Sequence, residues 1–325
     1  MFTSGIMIVP GHSVADVLAA AQAAEEAGFE SCLIADEGFT YDVYALMTSI
    51  VLHTRRLRVA PITNPYTRHP AATAAALASV HALAPGRVFL AVVPGGSLAL
   101  GPMNLAARKP TTACREMINI VRALLSGGKH DLEGEMFSVR GAELQFPAEP
   151  VEIWVLGRGS KMLGLSGEIA DVTVITGHTA SAETLEMARR GAEVSARGLR
   201  LAYLGGMAFK PGMLDRARPH YTYVIPDSPA QVWEKLGVTP RWVADLKRIR
   251  EHDGTEAASA LISDDLLRRA MVAGTPEECA SHIHRLAKTW GYKHFILPIT
   301  SLEGNHVLPL IRESAQIYTN AQRLS

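Results

Sequence analysis

The sequence predicts a closed (β/α)8 barrel of the α/β class, and three observations predict it. Short β-branched apolar runs alternate with longer stretches of helical period through the first 180 residues, eight such runs can be counted along the chain, and each is followed by helical sequence. The runs are apolar on both faces, as strands are when a barrel interior lies on one side and a helical layer on the other. That favours a closed barrel over an open doubly wound sheet.

The units follow in order. Ile6 to Val9 is the first apolar run. Ser13 and Asp16 then form an S-x-x-D capping pattern, Val14, Val17, Leu18 and Ala21 recur on one helical face, and Gly28 stops the helix. Cys32 to Ala35 starts the second unit, with Asp36-Glu37 in its loop and helical sequence from about Tyr41 to Thr54. Leu57 to Ile62 and a stretch from about Ala71 to Leu83 make the third. The fourth runs from Val88 to Val93 through the loop Pro94-Gly95-Gly96 to a helix from about Thr112 to Leu125, with Met117, Ile120, Val121 and Leu124 on one face. Ile153 to Leu156 leads through Gly157-Arg158-Gly159 into a helix ending near Ala170, and Val172 to Thr176 precedes a helix from about Ala182 to Arg197. Leu201 to Met207 and Phe295 to Ile299 are the last two strands, and about Val307 to Ala321 is the final helix. The long interval between strands seven and eight reads as a helical insertion over about 210–275. An insertion of this size at one rim is a lid or pocket wall, so residues 1–325 are expected to form a single domain.

Composition excludes several functions. Lys and Arg number 32, as do Asp and Glu, so the net charge is zero and nothing marks a nucleic-acid partner. With 48% hydrophobic and 20% charged residues the chain has ample material for a core. Three scattered cysteines, Cys32, Cys114 and Cys279, fit neither a disulfide framework nor a thiolate zinc site. The N-terminal residues lack a signal-peptide pattern and no stretch of about 20 apolar residues follows, so a cytoplasmic protein with no membrane partner is expected.

In a barrel the chemistry lies where each strand ends. Only Lys210 directly follows a strand among the lysines, which disfavours Schiff-base chemistry. His282 and His284 lie two apart on a predicted helix, where side chains do not share a face, so no metal site is expected. What remains is Gly- and Pro-rich loops with few titratable groups: Asp36, Glu37, Asn64, Arg68, His69 and His178. Such a site suits a cofactor that brings its own reactivity. The turn Gly157-Arg158-Gly159-Ser160 opens a helix, where free N–H groups and the helix dipole favour a phosphate; it can equally be a structural strand-to-helix turn. Met162 at the third glycine position removes it from the dinucleotide fingerprint.

In order, these segments resemble the luciferase-like monooxygenase superfamily, and within it the methylenetetrahydromethanopterin reductase branch. The matching stretches are Gly5 to Pro10, Ala27 to Glu30, Ile34-Ala35-Asp36-Glu37, Thr63-Asn64-Pro65-Tyr66-Thr67-Arg68-His69-Pro70, Gly86-Arg87-Val88, Gly157-x-Gly-Ser-Lys-Met, Gly167 to Asp171 and Val272 to Glu277. The likeness spans nearly the whole chain. It implies a homodimeric barrel binding the deazaflavin coenzyme F-420, or alternatively FMN, with the cofactor phosphate on the Gly157 to Lys161 turn. It also implies a bulge with a non-prolyl cis peptide at Pro61-Ile62 behind the cofactor ring. The cofactor-binding set it points to is Pro61, Ile62, Asn64, Pro94, Gly95, Gly157, Arg158, Gly159 and Ser160. Asp36, Glu37 and His69 become the catalytic candidates, to orient a small-molecule substrate or manage its proton.

Two departures stand out. Where the pterin reductases carry a glutamate in the first strand this chain has Met7, and their Gly-Pro-Gly-Asp loop reads Val93-Pro94-Gly95-Gly96. Methionine and glycine supply neither charge nor proton acceptance, so methylene-tetrahydromethanopterin is not the expected substrate. The resulting expectation is an oxidoreductase exchanging a hydride between F-420 and a small organic substrate. Two further readings stay open: an FMN-dependent monooxygenase fed by a separate flavin reductase, and a non-catalytic flavin-binding relative.

Overall fold

The protein is described by a computed structural model covering residues 1–11, 13–195, 198–300 and 306–324. Its elements run β1 (Thr3–Ile8), α1 (Val14–Glu26), β2 (Ser31–Ala35), α2 (Val43–His53), β3 (Arg58–Thr63), α3 (Pro70–Leu83), β4 (Phe89–Val92), the helical turn α4 (Ser97–Leu100) and α5 (Pro110–Leu125). Then come β5 (His130–Leu132), β6 (Val139–Ala142), β7 (Glu152–Gly157), α6 (Ser160–Ile169), β8 (Val172–Thr176), α7 (Ala182–Ser195), β9 (Leu201–Leu204) and β10 (Met207–Ala208). The chain ends with α8 (Met213–Val224), α9 (Ala230–Leu236), α10 (Pro240–Ser259), α11 (Asp264–Ala270), β11 (Val272–Ala273), α12 (Pro276–Trp290), β12 (His294–Ile299) and α13 (Val307–Arg323).

Eight parallel strands close the barrel in the order β1-β12-β9-β8-β7-β4-β3-β2, so the predicted fold is the observed one. Alternation along each strand explains the apolar runs. Inward residues such as Met7, Leu33, Ile62, Phe89, Trp154 and Val174 fill the barrel, while their neighbours pack against the helices. The expected caps are in place: Ser13 accepts from the Asp16 amide at the start of α1, and Gly28 follows that helix with φ +89°.

At the N-terminal end of the barrel a polar cluster closes the floor. His294 is hydrogen-bonded through Nδ1 to Thr3 Oγ1 at 2.5 Å and through Nε2 to Ser31 Oγ at 2.9 Å. Beside it Glu152 accepts from Arg58 (2.7 Å), from Trp154 Nε1 (2.9 Å) and from Arg200.

Three expectations are corrected. The seventh run is not one strand: β9 leaves the barrel after Leu204, and Met207–Ala208 pairs outside it with Val272–Ala273. Gly205 and Gly206 make the exit possible, since a Cβ on Gly205 would collide with the Tyr203 ring. The Pro61–Ile62 region holds neither a bulge nor a cis peptide, every peptide bond among the described residues being trans. Val59 pairs with Val88 and Ile62 with Ala91 at one constant offset, so no residue is inserted; the ladder only lapses beside Pro61, which has no N–H to donate. The antiparallel hairpin of β5 and β6 is the third difference, its short and largely exposed strands carrying no apolar run to announce them. The helix expected to reach Arg197 is seen to Ser195, and Arg197 lies outside the described residues.

Candidate active site

A cavity of about 960 Å³ opens at the C-terminal ends of the barrel strands, under the α8 part of the insertion. Asp36, Glu37, Ile62, Asn64, Pro94, Gly95, Gly157, Arg158 and Gly159 line it, and so do Met7 and Gly96, the two positions without the expected carboxylates. Three anticipated residues do not. Pro61 falls on the outward phase of β3, between the inward Ala60 and Ile62. Ser160 is the first residue of α6. His69 is the N-cap of α3, accepting from the Ala71 amide at 3.2 Å, with its ring edge-on to Phe137.

The strand ends hold the acidic pair in different ways. Thr63 Oγ1 donates to Asp36 Oδ2 at 2.7 Å, and the Asp36 amide donates to the Ile62 carbonyl at 3.0 Å, which anchors the β2 end to β3. Burial pushes the Glu37 carboxyl up from its ordinary value. Asn64 is buried, and its Oδ1 accepts from the Tyr66 and Thr67 amides at 2.9 and 3.1 Å. The side-chain oxygen thus shapes the turn and leaves the amide nitrogen as the donor toward the cavity.

The β7–α6 turn forms the most polar wall. Gly159 caps α6 without a side chain, and the first intrahelical bond runs from the Leu163 amide to the Gly159 carbonyl at 3.0 Å. The three amides before Leu163 therefore have no intrahelical acceptor. A Cβ on Gly157 would sit 3.0 Å from Met162 Cβ and 3.2 Å from the Leu163 nitrogen, so glycine there keeps the turn tight against α6. Arg158 makes no ion pair or hydrogen bond among the described residues, although burial pulls its guanidinium below its usual value. A desolvated guanidinium that makes no hydrogen bond among the described residues, has Asp227 as its charged neighbour and stands beside open helix-terminal amides can still receive an anion. A phosphate monoester fits it.

The insertion contributes residues that strand-end reasoning did not identify: His220 and Tyr223 on α8, and Asp227 and Ser228 after it. Tyr223 Oη is hydrogen-bonded to His220 Nδ1 at 2.5 Å. Burial, with Arg158 nearby, brings His220 down to about 4, so its imidazole is neutral. Ser228 Oγ lies 3.3 Å from His178 Nε2, and burial lowers His178 strongly as well. Asp227 accepts from Ser97 Oγ at 2.9 and 3.0 Å, tying the insertion to the β4 loop. Lys235 supports the β8 loop by donating to the carbonyls of His178 (3.1 Å) and Ala180 (2.6 Å). The one sequence signal was the helical spacing of Met213, Ala217, His220 and Val224, which puts a histidine on an otherwise apolar face.

Comparison with known proteins agrees with this geometry. A family model described as luciferase-like monooxygenase matches residues 1–294. A 5,10-methylenetetrahydromethanopterin reductase of Methanolobus tindarius is 29% identical over 294 residues, covering 87% of this chain and 90% of the relative. An F-420-dependent glucose-6-phosphate dehydrogenase of Nakamurella multipartita is 26% identical over 317 residues, covering 90% and 91%. The solved structure of the coenzyme F-420-dependent tetrahydromethanopterin reductase of Methanopyrus kandleri superposes with a TM-score of 0.87 at 21% identity, covering 97% of each chain.

Proposed function

We propose, from the premise that this chain belongs to the luciferase-like monooxygenase family, that it is an oxidoreductase exchanging a hydride between coenzyme F-420 and a small organic substrate. The observation that carries the proposal is the Arg158 guanidinium, which makes no hydrogen bond or ion pair among the described residues and has Asp227 as its charged neighbour, beside the open N-terminus of α6, a site suited to the phosphate of such a cofactor. Relatives named as F-420-dependent dehydrogenases over nine-tenths of the chain support a deazaflavin over FMN.

When bound, the deazaflavin supplies a ring carbon that gives or takes a hydride without the oxygen reactivity of reduced FMN. The chain supplies the rest. Arg158 and the α6 amides would hold the phosphate, Ile62 would offer an apolar surface from β3 to the cofactor, and Asn64 would offer its amide nitrogen. Asp36, fixed by Thr63, would orient polar groups of the cofactor or substrate. Glu37 keeps its proton to higher pH than a free glutamate, which suits it to pass a proton to or from substrate. The insertion walls the cavity on the α8 side, which would limit the access of water. With Met7 and Gly96 at the two substrate-side positions, efficient turnover of methylene-tetrahydromethanopterin is not expected.

Titration of the purified protein with F-420 and, separately, with FMN, followed by fluorescence quenching, tests the reading. Binding of F-420 with much weaker FMN binding, both lost in Gly157→Asp, is expected. FMN binding alone would shift the assignment to oxygen-consuming chemistry, and binding of neither would overturn the cofactor assignment.

A further inference from the structure

The cavity wall divides by barrel arc. The ends of β8, β7, β3 and β2 present His178, Arg158, Asn64 and the Asp36-Glu37 pair, with the Gly/Pro loop of β4 and the apolar Ile62, Val93 and Leu156 between them, whereas the contiguous arc of β9, β12 and β1 presents Leu204, Ile299 and Met7. Above that second arc lie Met207 on β10 and, from the insertion, Met213 and Met271. These three are buried in protein yet line open space. Met213 Sδ accepts from the Phe209 amide at 3.4 Å, and Met271 Cε lies where a Cβ on Gly206 would come within 2.8 Å, so both side chains are seated rather than loose. Among the described residues no carboxylate lines this arc; its polar members Thr300, His306 and Arg216 are exposed, at the mouth, and the neutral His220 shares the α8 face of Met213.

We infer that the β9–β12–β1 arc with Met207, Met213 and Met271 is the substrate compartment, and that it takes an uncharged molecule with a flexible aliphatic body. The inference rests on the reading of the polar arc as the cofactor's. About 960 Å³ is near the upper end of the range for ligand pockets, roughly 300–1,000 Å³, and leaves room for a second molecule beside a cofactor. A charged or heavily hydroxylated body would lose its water against this wall and find only the neutral His220 to replace it. Methionine is unbranched and polarisable, and a wall built from it adapts to chains of differing shape. The same arc explains why Met7 stands where a charged pterin-side residue would be out of place.

Calorimetric titration with 2-alkanones from acetone to 2-decanone, on protein free of F-420 and on protein saturated with it, decides the matter. The expected result is a Kd falling about fourfold per added methylene until the compartment is full. The ketones should bind in the presence of F-420, and Met213→Gln and Met271→Gln should flatten the series while leaving F-420 affinity unchanged. The series is read on the unaltered protein, so a variant that fails to fold does not leave the question open. Absence of chain-length dependence, octanoate binding as tightly as 2-nonanone, or expulsion of the ketones by F-420 would each overturn the inference. Chain-length dependence in a protein that does not bind F-420 would retain the compartment and remove the cofactor reading instead.

Discussion

At the scale of single residues, the site turns on whether a polar side chain is already satisfied. Arg58 and Arg158 both stand at barrel strands, but Arg58 is hydrogen-bonded to Glu152 at 2.7 Å while Arg158 makes no hydrogen bond or ion pair among the described residues and has Asp227 only as a charged neighbour. Nothing in the local sequence separates them, because the partner lies 94 positions away. Hydrogen bonds to a charged group contribute about 1.5–3 kcal/mol. Arg158→Ala should therefore weaken F-420 binding roughly 10- to 100-fold with an unchanged circular dichroism spectrum, and Arg158→Lys should recover part of the loss. Unchanged affinity in the alanine variant would remove the anchor. His69 teaches the opposite lesson. It belongs to the most specific stretch of the sequence, yet its nitrogen is spent capping α3, and a cap and a catalytic group look alike until the geometry is known.

At the scale of elements, helices α6 and α7 pack with their backbones in contact. A Cβ on Gly167 would fall on the Ala188 carbonyl, and one on Gly191 on the Gly164 carbonyl, whereas a Cβ on Gly164 would meet open space. Replacing either crossing glycine by alanine should lower stability by about 1–3 kcal/mol through overpacking. Gly164→Ala, at an interior helical position without a clash, should be neutral or add about 0.5–1 kcal/mol. Urea unfolding midpoints of the three variants check the contrast, and equal effects at Gly164 and Gly167 would refute the close crossing. This crossing also positions the anion site, since α6 is the helix whose first turn meets the cavity. The strands and helices were legible because each carries a buried periodic face. The β5–β6 hairpin and the break at Gly205-Gly206 were not, since exposed short strands lack such a face and a strand exit is set by the ring of Tyr203 beside it.

At the scale of the whole molecule, the barrel floor sets a pH dependence of stability. Burial brings His294 down to about 3, against an ordinary value near 6.5. The folded state therefore binds fewer protons than the unfolded chain between those values, so this contribution is fully present above about pH 6.5 and is lost as pH falls toward 3. The expected slope is about 1.4 kcal/mol per pH unit for this histidine. Denaturant titrations from pH 7 to pH 4 should show it, and His294→Gln should make the dependence less steep; an equally steep variant would place its origin elsewhere, for example at His178 or His220. No helix among the described residues is long and apolar enough to cross a membrane. The amino-acid sequence by itself determined the eight-stranded barrel, the Gly157 turn and the strand-end position of Asp36 and Glu37, because periodicity, capping and turn chemistry are local properties of the chain. Only the tertiary structure decided that Arg158 makes no ion pair among the described residues, that His220 and Tyr223 reach the cavity, that His69 does not, and that the wall divides into a polar and a methionine-lined arc. Those facts depend on which distant segments meet, and partners that are absent or 50 to 100 residues away leave no local trace.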